Sequence, residues 1–121
     1  MRLRHLRGPA AGVAALLVTA CGDGGSTGTE PPPSSNVSVT VRNNAFDPAT
    51  ARVLVNGTVT WTWAAGAVDH NVSFTGGPMP LPANSSNRMT GTHSVTFTEP
   101  GTYNYTCTLH PGMDGSVVVT P

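Results

Sequence analysis

Apolar and polar residues alternate through most of the chain from Asn36 onward. Successive side chains of a β-strand point to opposite faces of a sheet, so a period of two is typical of strands with one buried face. The positions that share a face in each run are Val37, Val39 and Val41; Val59, Trp61 and Trp63; His70, Val72 and Phe74; Val95 and Phe97; Tyr103, Tyr105 and Cys107; and Val117 and Val119. No stretch has the period of an amphipathic helix, so the pattern predicts an all-β domain.

Turn-forming residues separate these runs. They are Asn56-Gly57, Gly76-Gly77-Pro78 and Glu99-Pro100-Gly101. Several short alternating strands with such turns predict a Greek-key antiparallel β-sandwich. The predicted domain, residues 36–121, is small and has a marginal core, so a bound metal ion would add useful stability.

Residues 1–20 predict a secretory signal peptide. A positively charged MRLRHLR precedes the apolar run PAAGVAALLVTA, which is shorter than the ~20 residues that a bilayer-spanning helix needs. The run ends in Val18-Thr19-Ala20-Cys21, which resembles the lipobox of bacterial lipoproteins. That resemblance implies that Cys21 is lipidated and becomes the first residue of the mature chain. Ordinary cleavage after Ala20 is the alternative.

Residues 21–35 are predicted to combine the lipidated cysteine with a linker. After Cys21 the sequence GDGGSTGTEPPPSS has no apolar side chain to bury, and such a segment cannot offset the entropy lost on ordering. Its Gly/Ser half is flexible and its proline run is stiffer. This order of anchor, linker and domain predicts a domain in the bacterial cell envelope that touches the membrane only through its lipid, facing the periplasm or the exterior.

The charge distribution excludes a nucleic-acid partner. Three of the six arginines lie in the first seven residues, and the chain has no lysine. Beyond the predicted signal the only strong bases are Arg42, Arg52 and Arg88, against six acidic residues. No basic stripe is present that could follow a phosphate backbone.

The segment Cys107-Thr-Leu-His110-Pro-Gly-Met113 places a thiol, an imidazole and a thioether within one short loop. Alternation turns Cys107 inward with Tyr103 and Tyr105, and it turns His70 inward with its strand. Two histidines and a cysteine in a trigonal set, with a distant axial methionine, form the ligand set of blue-copper electron-transfer sites. The four residues therefore predict a metal site at one end of the sandwich.

Each of these residues has a plainer interpretation. Cys107 could be a buried thiol, although it has no disulfide partner if Cys21 is lipidated. Met113 could be core filler, and Met79 and Met89 are rival thioethers, but they lie in irregular sequence with no positional link to the cysteine. His93 also faces inward by alternation but lacks a partner at metal-ligand spacing, so a metal role for it stays open.

The segment from Asn36 to Pro121 resembles the small cupredoxins of the plastocyanin and amicyanin type. The resemblance rests on Asp69-His-Asn-Val-Ser-Phe74 and on the run from Gly101 through CTLHPGM to Val119. It implies that the copper ligands are His70, Cys107, His110 and Met113, and that Asn71 and Thr108 tie the two ligand loops together. Gly112 and the polar run before Arg88 depart from the family pattern.

The predicted function is one-electron transfer by a type 1 (blue) copper protein. One copper per chain would cycle between Cu(I) and Cu(II), exchanging electrons with redox partner proteins in transient contacts. Four ligands leave no open position for a substrate, and no nucleophile–base pair is visible, so the chain is not expected to be an enzyme. The exposed edge of His110 is the predicted electron portal, and the protein is expected to be a monomer.

Two other functions use similar donors. A copper storage or delivery protein would release its metal readily to a chelator. A structural zinc domain would also suit cysteine and histidine ligands. The methionine argues against zinc, because thioether is a soft ligand that suits copper.

Overall fold

The computed structural model describes residues 30–121, so the predicted signal peptide, Cys21 and most of the linker lie outside the described residues. This part of the chain forms seven strands and no helix. The strands are β1 (Ser34–Arg42), β2 (Ala45–Asp47), β3 (Thr50–Trp63), β4 (Ser73–Gly76), β5 (Thr92–Thr96), β6 (Gly101–Thr106) and β7 (Asp114–Thr120). Within residues 30–121 no helix is long and apolar enough to cross a membrane.

The long strand β3 belongs to both layers of the fold. Its first half, Thr50–Leu54, pairs with β7. Its second half, Thr58–Thr62, pairs with β5 on one side and with β1 on the other. One layer therefore contains β2, β1, the second half of β3 and β5. The other layer contains the first half of β3 followed by β7, β6 and β4. The predicted all-β fold is confirmed.

Two of the strand pairings are parallel, which the alternation did not predict. β1 runs parallel to β3, and β3 runs parallel to β7, whereas the other four pairings are antiparallel. Parallel neighbours need a crossover rather than a hairpin. Here β2 lies between β1 and β3 in the chain, and three strands separate β3 from β7, which supplies that length.

The Asn56-Gly57 pair was predicted to be a turn between strands, and it is instead a bend inside β3. Asn56 has a positive φ of 68°, and a Cβ on Gly57 would lie 2.6 Å from the Val53 side chain. Hydrogen bonds from Asn56 N to Phe97 O (2.6 Å) and from Phe97 N to Gly57 O (3.0 Å) hold the bend. The left-handed residue and the crowded glycine turn the strand without ending it.

The two layers meet through aromatic side chains packed edge to face. Tyr105 lies 4.7 Å from Phe46 and 5.3 Å from Trp61 between ring centroids, and Trp61 also contacts Phe74 at 6.0 Å. The Tyr105 ring crosses Gly115 on β7, where any Cβ would collide with it. This packing fixes β6, the strand that ends at Cys107.

The Tyr103 hydroxyl closes the turn before β6 in the arrangement known as a tyrosine corner. It donates a hydrogen bond to the Glu99 carbonyl oxygen at 3.1 Å. Burial, with a further contribution from the Glu99 carboxylate, raises the pKa of Tyr103 above its usual value, so the hydroxyl keeps the proton that it donates.

Candidate metal centre

Three potential ligand atoms meet at one end of the sandwich. His70 precedes β4, Cys107 directly follows β6, and His110 lies in the loop that leads to β7. The Nδ1 atoms of the two histidines are 3.1 Å apart, and Cys107 Sγ lies 3.5 Å from His110 Nδ1 and 3.8 Å from His70 Nδ1. Among the described residues these three form the one group of His, Cys, Asp or Glu with metal-binding proximity.

The loop from Cys107 to Met113 is closed by its own backbone. Cys107 N donates to Met113 O at 2.9 Å, His110 N donates to Cys107 O at 3.3 Å, and Met113 N donates to His110 O at 3.2 Å. Gly112 supplies the positive φ of 83° that the last turn needs. The two ends of the loop are therefore held together by backbone hydrogen bonds.

The methionines divide sharply by exposure. Met113 is 2 % exposed at this end of the sandwich, whereas Met79 and Met89 are 76 % and 56 % exposed. The two rival thioethers identified in the sequence therefore lie at the surface. Met113 alone of the three is buried in the core cluster that contains Cys107.

The spacing of the three donor atoms fits a single metal ion. A point equidistant from three atoms with these separations lies about 2 Å from each, close to the length of a metal–imidazole bond. Two imidazole nitrogens and a sulfur are soft-to-borderline donors that suit copper. The residues present thus fit a copper ion in both distance and chemistry.

Burial favours the neutral form of the His70 ring. The side chain is 0 % exposed, and this desolvation lowers the pKa of His70, with a smaller contribution from nearby His110. A neutral imidazole has one lone pair free to bind a metal. The buried ring is therefore ready to coordinate at neutral pH.

Two hydrogen bonds join the segment of His70 to the segment of Cys107. Asn71 Nδ2 donates to Thr108 Oγ1 at 2.7 Å, and Thr108 N donates to Asn71 Oδ1 at 3.0 Å. Asn71 Nδ2 also donates to Asn87 Oδ1 at 2.8 Å. Because Asn71 follows one histidine and Thr108 follows the cysteine, these bonds set the distance between the two segments.

His93 is not part of the donor group. Its ring lies in β5, and Nε2 is 3.2 Å from the Ala83 carbonyl oxygen. The side chain therefore connects β5 to the loop after β4.

Two contributors to the site were missed from the sequence. One is the polar run before Arg88, which packs beside the segment from His70 to Phe74. His70 and Arg88 exchange both backbone hydrogen bonds at 3.1 Å. Asn84 Oδ1 accepts a hydrogen bond from Phe74 N at 2.8 Å. The other contributor is Asn43, whose Oδ1 lies 3.1 Å from His70 Nε2. A run of asparagines and serines is typical of loops, so neither contact had a signal in the pattern.

Two exposed apolar side chains lie close in the chain to the two histidines of the donor group. Val68 is 49 % exposed and Leu109 is 42 % exposed, and a Cβ on Gly112 would meet no atom within 4 Å. His110 itself is only partly buried, in contrast to His70 and Cys107. The site thus reaches the surface through one of its histidines.

A small β-sandwich with a His–Cys–His donor group at one end defines a mononuclear blue-copper cupredoxin. Residues 35–120 match the family described as "Copper binding proteins, plastocyanin/azurin family". The chain belongs to this family.

Known relatives agree with that assignment. Amicyanin-alpha of Methylorubrum extorquens is 37 % identical over 116 residues, which cover 91 % of this chain and 94 % of that protein. An oxidized mutant of amicyanin superposes with a TM-score of 0.61 and 35 % identity, covering 69 % of this chain and 80 % of the other. A Cu-containing nitrite reductase from Thermus scotoductus superposes with a TM-score of 0.62 and 27 % identity, but only 24 % of its chain is covered. The predictions of a cupredoxin fold, one copper and a blue-copper electron-transfer protein are confirmed.

Proposed function

We propose that the protein carries single electrons between redox partners, with copper held by His70 Nδ1, Cys107 Sγ and His110 Nδ1 and the Met113 thioether as the axial ligand. The observation that carries this proposal is the three-atom donor group, with separations of 3.1, 3.5 and 3.8 Å. The buried position of Met113 supports the fourth assignment. Copper bound here would supply the one-electron Cu(II)/Cu(I) couple.

The surrounding protein suits such a role because it holds the donors in place. The Asn71–Thr108 hydrogen bonds and the backbone bonds within the 107–113 loop are made entirely between protein atoms. Donors that stay in position when the charge changes limit the reorganisation that accompanies electron transfer. Four protein ligands also leave no position for a substrate, which supports a carrier that is not an enzyme.

The partly exposed His110 ring is the proposed electron portal. Leu109, Pro111 and Gly112 frame it with a small, mostly apolar surface. A surface of this size suits brief contacts with partner proteins rather than a permanent complex. We therefore propose that the domain acts as a monomer that meets its partners transiently.

The proposed location is the cell envelope, with the mature chain anchored through a lipid on Cys21. The support is the sequence Val18-Thr19-Ala20-Cys21 after a short apolar run, followed by the 21–35 linker and the 36–121 domain. Wild-type protein is expected in the membrane fraction, and Cys21→Ala is expected in the soluble fraction. A wild-type chain that is freely soluble and begins at another residue would refute the anchor.

An absorption spectrum of the copper-loaded protein tests the proposed site. Oxidized protein is expected to bind one copper and to be intensely blue, because the colour arises from the copper–thiolate bond. Zinc loading under identical conditions is the control. A colourless Cu(II) complex, or a preference for zinc when copper is available, would refute the proposed ligand set.

A further inference from the structure

Asn43 connects a surface turn to the buried histidine. It lies between β1 and β2, where its side-chain oxygen has two neighbours. Val68 N donates to Asn43 Oδ1 at 3.0 Å, and His70 Nε2 lies 3.1 Å from the same oxygen. Since the His70 side chain is 0 % exposed, water is excluded as a ready replacement for this contact.

The Val68 contact determines which atom of the Asn43 amide faces the histidine. A backbone N–H can only donate, so the atom that it contacts must be the oxygen and not the NH₂ group of the amide. That oxygen can only accept, and His70 Nε2 must therefore carry the proton. In a neutral ring the other nitrogen, Nδ1, then has the free lone pair.

The same ring orientation points Nδ1 at the other donors. His70 Nδ1 lies 3.1 Å from His110 Nδ1 and 3.8 Å from Cys107 Sγ. A ring rotated by half a turn would place Cδ2 toward the other donors and Cε1 toward the Asn43 oxygen, so that neither side would have a nitrogen in position. Asn43 thus selects both the tautomer and the orientation in which His70 can bind a metal.

We propose that Asn43 is a positioning residue that fixes the Nδ1-binding tautomer of His70 and, through it, tunes the reduction potential of the copper. The inference rests on the proposed function and deepens it. An oxygen that accepts a hydrogen bond from Nε2–H makes the imidazole a stronger electron donor. Because Asn43 is neutral, it supplies this effect without placing a negative charge beside the site.

A charge substitution at this position makes the proposal testable. Asn43→Asp keeps an oxygen for both the Val68 and His70 contacts and adds a negative charge to the hydrogen bond. It is expected to favour Cu(II) over Cu(I) by up to about tenfold, which lowers the potential by about 59 mV for one electron. The adjacent Asn44→Asp is the matched control, because Asn44 is also exposed and no side-chain contact joins it to His70.

The potentials of wild type and both variants are measured by voltammetry, with the absorption spectrum recorded on the same samples. The expected result is a clearly lower potential for Asn43→Asp and a much smaller shift for Asn44→Asp, with the blue colour retained in both. Equal shifts in the two variants would overturn the proposal, because the effect would then be general charge rather than the hydrogen bond.

A second measurement uses the unaltered chain and does not depend on a variant that folds. Nitrogen-15 NMR of the wild-type protein, in the reduced copper-loaded and metal-free forms, reports which His70 nitrogen carries the proton. A protonated Nε2 that exchanges slowly with solvent is expected in both forms. A metal-free His70 protonated on Nδ1 would overturn the proposal. The metal-free spectrum tests the tautomer even if the wild-type protein failed the colour test of the proposed function.

Discussion

The two histidines of the donor group are held in different ways. His70 is fully buried, and both edges of its ring are engaged: Nε2 contacts Asn43 and Nδ1 faces the donor group. Its backbone is also paired with Arg88. His110 is partly exposed, and its contacts within the described residues are to the donor group and to its own short loop.

The difference separates two tasks that a carrier of electrons must combine. A site that changes little with oxidation state needs a ligand fixed from several directions, and His70 meets that need. A site that exchanges electrons with another protein needs a ligand close to the surface, and the partly exposed His110 meets this second need. Cys107 stands between them, within 4 Å of both.

Removing the Cys107 sulfur, which lies near both histidines, should have the largest effect on the visible spectrum. Cys107→Ser replaces the sulfur that both histidines face, and we expect the intense blue absorption to disappear because it requires a copper–thiolate bond. The measurement is the visible spectrum after copper loading, with copper content determined on the same sample. Retention of the blue band would show that the sulfur is not a ligand.

Replacing each histidine by glycine directly tests the contrast between the buried His70 and the partly exposed His110. His110→Gly opens a gap at the surface that free imidazole can enter, so added imidazole should restore much of the colour. His70→Gly leaves an enclosed gap, because the native ring is 0 % exposed, and imidazole should restore little. Titration of both copper-loaded variants with imidazole is the measurement. Equal recovery in the two variants would contradict the contrast.

Much of the donor group could be predicted because it rests on local patterns. The two-residue period turned His70 and Cys107 inward, and the spacing of His110 and Met113 placed them in one loop. The contacts that hold His70 could not be predicted in the same way. Asn43 is 27 residues from His70, and it meets the ring only because the β1–β2 turn lies beside the segment that precedes β4.

The fold shows the same limit. Alternation identified the buried faces, but the path of β3 depends on how two layers share one strand. Asn56-Gly57 has the composition of a hairpin turn, yet the backbone bonds to Phe97 keep the chain extended on both sides of it. The parallel pairings of β3 with β1 and β7 likewise follow from long crossovers and have no local signature.

A smaller effect is expected from the hydrogen bonds that join the two ligand segments. Asn71→Ala removes both bonds to Thr108 together with the bonds to Asn87 and Ser73, and we expect a loss of about 2–3 kcal/mol in the free energy of unfolding. Asn87→Ala, which removes one bond to the same side chain, should cost about 1 kcal/mol or less. Urea denaturation of the reduced, copper-loaded variants measures both. A cost for Asn71→Ala no greater than that of its control would refute the role assigned to this link.

Voltammetry of Met113→Leu, with copper content measured on the same sample, tests the carrier function most directly. An axial thioether tunes the potential, while the cysteine and histidines provide most of the binding. The variant is therefore expected to keep its copper and its colour, and its potential should rise because loss of the thioether disfavours Cu(II) more than Cu(I). An unchanged potential together with a collapse of copper retention would mean that Met113 serves to hold the metal, as in a storage or delivery protein, and would contradict the assignment of this chain as an electron carrier.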